Sequence, residues 1–178
     1  MNHYNVFYLL IEIVVGRGGM VKNLHGQKNV YYQVNATYYS ALGDNDAKML
    51  MARALQLFMP GKPQVWYLDL FVGKNDHEAV KRAGAGGHKE INRTNLSKQQ
   101  IEEALEKAVV QKQLDMLRFR SMFPAFSFDS EINITSDNGQ LVFEWKKDGY
   151  TALLNADLKT MKYEMAGINP SGEIEYNL

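Results

Sequence analysis

The segment Pro63–Gly73, PQVWYLDLFVG, decides how the first part of this chain is read. Val65, Trp66, Tyr67, Leu68, Leu70 and Phe71 make it almost continuously apolar, and turn residues bound it on both sides, Pro60-Gly61 before and Gly73 after. A short unbroken apolar run of this kind is expected of a strand covered on both faces, as in a parallel sheet flanked by helices. A helix precedes it. From Ala47 onward, Leu50, Met51, Ala54, Leu55 and Phe58 fall on one face, Asp44 or Asp46 is available as N-cap, and Pro60-Gly61 supplies the stop. One helix and one strand cannot cover both faces of that strand. The expectation is therefore that this half belongs to a larger α/β sheet than it contains.

Working outward from that segment, residues 4 to 15 place Tyr8, Ile11, Glu12 and Val15 at helical spacing, closed by Gly16 and Gly18-Gly19, with a strand at IEIVV as the competing reading. The apolar stretch Val6–Val15 contains Glu12, is too short to span a bilayer and has no basic residue before it. Residues 20 to 43 show neither period and read as a long, partly structured loop, a feature that in a compact domain usually marks function. Residues 73 to 96 are rich in glycine and polar side chains. Ser97 and Gln100 have capping-box spacing and open a helical region over 97–123, with Val110, Leu114 and Leu117 on one face. After Pro124 the period becomes two. Ile132 and Ile134, then Leu141, Phe143 and Trp145, then Ala152, Leu154 and Ala156, then Met161, Tyr163 and Met165, and lastly Ile174, Tyr176 and Leu178 alternate. Asn138-Gly139, Asp148-Gly149 and Asn169–Gly172 separate them as turns. This predicts an antiparallel meander of about five strands.

The 178 residues are 46% hydrophobic and 22% charged, an ordinary globular balance. Twenty basic residues offset twenty acidic ones, so the basic excess of a nucleic-acid binder is missing. With no cysteine, disulfides, thiolate metal sites and cysteine nucleophiles are excluded, and a reducing, cytoplasmic setting fits.

The four histidines, His3, His25, His77 and His88, show no metal-ligand spacing and read as surface residues, so no metal site is expected. The glycines of AGAGGHKE do not follow a strand at a phosphate-binding offset and read as a flexible loop. Asp69 lies in the apolar run and, if buried, needs a partner. Glu90 and Arg93 lie together after that run, where barrel folds build their sites, with a surface ion pair as the plain alternative. The stretch NVYYQVNATYYSALGDND, residues 29–46, sets Tyr31, Tyr32, Tyr38 and Tyr39 among Gln33, Asn35 and Thr37. Core filling explains rings alone. Rings beside neutral amides also suit a sugar, whose C–H faces stack and whose hydroxyls need amide and phenol partners.

In order along the chain, YYQVNATYYSALGDND, GKPQVWY, GKNDHEAV and HKEINRTNLS resemble the last third of sucrose phosphorylases, of glycoside hydrolase family 13 in the α-amylase superfamily. The ending LRFRSMFPAF and the tail WKKDGYTALLNADLKTMKYEM fit the same relatives, and the resemblance runs from about Gly16. It implies an α/β fold: the C-terminal portion of a (β/α)₈ TIM barrel, residues 1–124, followed by a small antiparallel β domain, 125–178. Residues 64–71 would be the eighth barrel strand. The implied activity is a retaining glycoside phosphorylase, converting sucrose and phosphate to glucose 1-phosphate and fructose, or acting on a related α-glucoside. In that family the nucleophile and the acid/base lie upstream, so no catalytic residue is assigned here and the chain is expected to be an inactive fragment. What carries over is substrate binding: Tyr32 and Gln33 at the acceptor loop, and Arg93 shaping the glucose pocket. Relatives often carry Asp where this chain has Val30. Those acting on sucrose phosphate carry His where it has Tyr32, which favours an unphosphorylated acceptor. The implied partners are a small-molecule sugar and inorganic phosphate, with no cofactor, nucleic acid or membrane. The alternatives are a stand-alone carbohydrate-binding module and part of an α-glucosidase or amylase-type hydrolase.

Overall fold

The computed structural model describes residues 3–23 and 31–178, apart from the side chains of residues 3–5 and of Tyr32. It is a mixed helix-and-sheet structure that divides into two compact units. One comprises the described parts of 1–45 with 65–106, the other 46–64 with 107–178.

The second unit is built on the predicted meander. Strands β3 (Glu131–Asp137), β4 (Gln140–Lys147), β5 (Tyr150–Asp157), β6 (Lys162–Ile168) and β7 (Ile174–Asn177) pair antiparallel in sequence order. Asn138-Gly139 and Asp148-Gly149 join them with positive φ at both residues, 45° and 88°, then 48° and 83°. Such two-residue turns follow the sheet's own twist and fix the register. That register directs Phe143, Trp145, Ala152, Leu154, Ala156 and Met165 inward. Helices α3 (Asp46–Phe58) and α7 (Ala108–Met122) pack in the same unit. Phe58 lies 6.3 Å from Phe119 and 5.2 Å from Phe126 between ring centroids, and 6.4 Å from Phe143. The buried indole of Trp145 donates to the Phe58 carbonyl at 2.9 Å, so the ring is buried without an orphaned N–H.

Three local expectations shift here. The helical region 97–123 is two helices, α6 (Lys98–Leu105) and α7, because Lys107 is extended. The capping box of Ser97 and Gln100 is formed, at 3.2 and 2.8 Å. The buried face of α7 is Val109, Val110, Gln113, Met116 and Phe119, while Leu114 and Leu117 are half-buried. Gln113 takes the centre because its carbonyl accepts from Arg53 Nε at 2.9 Å, and Arg53 is itself 1% exposed. A buried guanidinium needs oxygen partners more than an apolar neighbour. Finally, Asp46 is the first residue of α3 rather than its cap. Asp44 sits before it at φ 52°, accepting from Ser40 Oγ at 2.9 Å and paired with Lys74.

The first unit departs further from its reading. Helix α1 (His3–Gly16) forms as expected, and it is helix rather than strand. Residues 20–43 are not a loop throughout. β1 (Met20–Asn23) and β2 (Tyr31–Asn35) form an antiparallel pair, and α2 (Tyr38–Ala41) follows. The larger correction concerns the eighth strand. Residues 64–66 are unpaired and Tyr67–Leu70 form the short helix α4. A strand exists only with a ladder partner, and all ladders among the described residues are antiparallel ones elsewhere in the chain. With no neighbour, the backbone groups turn on themselves: Leu70 N donates to Trp66 O and Gly73 N to Leu68 O, at 3.1 and 2.8 Å. Helix α5 (His77–Ala83) and a 3₁₀ helix (Gly87–Asn92) complete the unit with α6. Asp76 caps α5, its carboxylate accepting from Ala79 N at 2.8 Å. No helix among the described residues is long and apolar enough to cross a membrane.

Two predictions test this architecture. A Cβ on Gly167 of β6 would stand 2.7 Å from Phe119 Cε2 and 3.0 Å from Phe123 Cε2. Gly167→Ala should therefore cost about 1–3 kcal/mol by overpacking, read as a lower urea midpoint with an unchanged slope. The bond from Ala79 N, then those from Thr94 and neighbours, hold the Asp76 carboxyl below its usual range. A depressed folded value stabilises above the unfolded pKa of about 3.9 and is lost as pH falls through the folded value. Asp76→Ala should lose about 0.5–2 kcal/mol of helix-cap stability at neutral pH and flatten the acid dependence below about pH 4, followed by far-UV circular dichroism.

Candidate functional site

Gln33 and Arg93 enter the first unit from different elements, and the structure shows how each is held. In the β1–β2 pair Lys22 opposes Gln33 and Asn23 opposes Tyr31, so Tyr32 is the extra residue of a bulge. Bulges break the ladder locally and re-aim the chain, and they recur beside binding sites. Gln33 Oε1 accepts from His88 Nε2 at 3.2 Å, and His88 lies on the 3₁₀ helix that ends at Arg93. Gln33 and the segment that leads to Arg93 are thus tied through an imidazole. Burial, then Lys22 and Lys89, push the His88 pKa down, so the ring is neutral at pH 7 and its Nε2–H is the donor to the amide oxygen. Reading His88 as a plain surface residue missed this role, because nothing local in the sequence links it to Gln33.

Arg93 itself is set by its neighbours. Trp66 Nε1 donates to the Asn92 carbonyl at 3.3 Å, and Tyr67 Oη donates to the Thr94 carbonyl at 2.6 Å. Thr94 Oγ1 donates to Asp76 at 2.9 Å, while Asp76 N donates to the Ile91 carbonyl at 2.9 Å. The backbone on both sides of Arg93 is therefore anchored, and Ile91 below it is fully buried. The side chain remains open. Its one ion pair among the described residues, to Glu90, is 3.6 Å long and both groups are more than 40% exposed. A pair of that kind contributes at most about 1 kcal/mol, so the guanidinium is available to a stronger partner.

Asn75 joins the loop after β2 to the same frame. Its Oδ1 accepts from Thr37 N at 2.7 Å, its own N donates to Ser40 Oγ at 3.1 Å, and Asn92 Nδ2 donates to the Ala36 carbonyl at 3.2 Å. Asp69 has the partner its placement required: it accepts from Tyr38 N at 2.7 Å, which makes it a structural acceptor at the start of α2. The three tyrosines whose side chains are described do not make one platform. Tyr31 packs edge-on against Tyr8 of α1 at 6.2 Å, Tyr39 is buried, Tyr38 is exposed, and the Tyr32 side chain lies outside the described residues, as does Val30. No group of three or more histidines, aspartates or glutamates among the described residues is placed to hold a metal ion.

No family model matches the chain. It is 52% identical over 157 residues to the sucrose 6(F)-phosphate phosphorylase of Ilumatobacter coccineus, covering 86% of this chain and 30% of that protein. It is 40% identical to the sucrose phosphorylase of Bifidobacterium adolescentis, covering 72% and 25%. The crystal structure of sucrose 6F-phosphate phosphorylase from Thermoanaerobacter thermosaccharolyticum superposes on all of this chain and 35% of its own, with TM-score 0.88 and 38% identity. The chain spans between a quarter and about a third of the length of these relatives. In sequence and in fold the chain is similar to the C-terminal part of sucrose phosphorylases and sucrose 6(F)-phosphate phosphorylases.

Proposed function

We propose that this chain supplies the acceptor loop and part of the glucose pocket of a retaining, cytoplasmic glycoside phosphorylase. Residues 1–124 close its (β/α)₈ barrel and 125–178 form its appended β domain. The observation that carries this is the 52% identity over 157 residues to a phosphorylase. Within that stretch, Gln33 and Arg93 sit on elements joined by hydrogen bonds. In the reaction, a carboxylate attacks the anomeric carbon of the α-glucoside as the glycosidic oxygen leaves, protonated by a glutamic acid. Phosphate then attacks the glucosyl ester, frees the carboxylate and departs as glucose 1-phosphate. Those two acids come from the portion of the enzyme beyond this chain. The chain's own part is to orient. Arg93 offers a rigid fork of donors to hydroxyl or carboxylate oxygens at the glucose ring, and Tyr32 and Gln33 face the leaving sugar and the incoming phosphate.

Tyr32 in place of histidine favours fructose over its phosphate as leaving group. A second reading, fructose 6-phosphate, is favoured by the two relatives at 52% and 41% identity, both sucrose 6(F)-phosphate phosphorylases. Fusing the chain to the N-terminal two thirds of the Ilumatobacter enzyme and assaying with sucrose or its 6F-phosphate, with and without inorganic phosphate, separates these. Phosphate-dependent release of glucose 1-phosphate is expected from the fusion and none from the chain alone. Arg93→Lys in the fusion should lower kcat/KM at least about tenfold, equal to about 1.4 kcal/mol of transition-state binding. A folded fusion that only hydrolyses its substrate would point to a glucosidase instead. Saturable sucrose binding by the lone chain would favour a free-standing carbohydrate-binding module.

A further inference from the structure

The second unit contains a cavity of about 470 Å³ that the proposed reaction does not use. Its wall brings together Lys62 from the segment after α3, Arg120 and Ser121 from the end of α7, and Phe126, Ser127 and Phe128 beyond it. No aspartate or glutamate lines it. The Arg120 guanidinium lies 4.5 Å from the centroid of Phe126 and 4.9 Å from that of Trp145, and Nη2 donates to the Gly61 carbonyl at 2.9 Å. Its Nε is buried with no partner, and no carboxylate among the described residues pairs with it. The acid nearest in sequence, Asp115, pairs with Arg118, and Asp129 is engaged by Lys147 and by Ser127. Burial pushes the Arg120 pKa down, yet an arginine stays cationic at neutral pH. Phe128 stands 92% exposed at the rim.

A half-buried cation stacked on rings, with Lys62 in the same wall and no acid among the described lining residues, makes a site complementary to negative charge. The volume is that of a small-molecule pocket, and its aromatic side suits a ring. We propose that this cavity binds a small organic anion, a phosphate or carboxylate carried on a ring, with the anionic group at Arg120 and Lys62 and the ring against Phe126 and Phe128. Two sources share that chemistry: a sugar phosphate and an aromatic carboxylate. Arg120 gives planar, bidentate recognition to either anion, and Lys62 adds a point charge.

Isothermal titration of the full chain with glucose 1-phosphate, benzoate, inorganic phosphate and glucose tests the site. Saturable binding is expected for at least one of the first two, at least tenfold tighter than for glucose and for inorganic phosphate. Glucose 1-phosphate as the tighter ligand assigns the sugar-phosphate source, and benzoate assigns the other. Lys62→Glu, on an exposed side chain, should weaken that binding at least tenfold, and Arg120→Met more so. Arg93→Lys should leave it unchanged, which separates this cavity from the proposed glucose pocket. No saturable binding of either ringed anion to the folded chain overturns the proposal. So does equal binding of neutral glucose, or a titration that Lys62→Glu does not move.

Discussion

A strand needs a second segment to pair its backbone groups with, and among the described residues the stretch around Trp66, itself half exposed, has no strand beside it. Everything distinctive in the first unit follows from how this is resolved. The backbone closes into the turn of α4, and the side chains that a sheet would have buried become donors instead. Trp66 and Tyr67 reach across to the carbonyls of Asn92 and Thr94 and hold the chain on either side of Arg93. An arginine whose own side chain is over half exposed is thereby presented from a fixed base. Fixing the base while leaving the head free is what oriented binding requires, because the entropy of placing the main chain is met during folding rather than on ligand capture.

Asp76 shows the same economy. One carboxylate caps α5, accepts from Thr94 and, through its own amide, holds the carbonyl of Ile91. The depressed pKa is the electrostatic record of those bonds, and its role is architectural. Perturbed titration is often taken as a sign of catalysis, but a capped helix and a hydroxyl donor account for it here. Asp76 is therefore a support for the backbone around Arg93.

The second unit is organised by aromatic rings. Phe58, Phe119, Phe126 and Phe143 meet at the centroid separations and tilted or edge-on angles that the ring quadrupole favours. Gly167 is bare because Phe119 and Phe123 occupy the space a methyl group would need. This packing also explains Arg120. Its guanidinium completes the aromatic cluster from the outside, so its charge is retained in a place where the protein provides no counter-charge.

The sequence by itself determined whatever depends on neighbours a few residues apart. The period-two runs and the Asn-Gly and Asp-Gly pairs set five strands and their register. Ser97 and Gln100 started a helix, Asp46–Phe58 showed its apolar face, and the ordered motifs from Tyr31 to Ser97 named the relatives. Gln33 and Arg93 were singled out through that resemblance, and nothing local in the sequence showed that their elements would be joined. Only the tertiary structure decided the rest. Pro63–Gly73 has the composition of a buried strand, but strand formation is a property of two segments, and no second one lies beside it among the described residues. Gln113 displaced Leu114 from the core because of an arginine 60 positions away. Tyr31, Tyr38 and Tyr39, close in sequence, took separate surroundings, with Tyr31 packed on the rings of α1. His88 found Gln33 across 55 residues. In each case the deciding energy is a contact between distant parts of the chain, which local spacing does not encode.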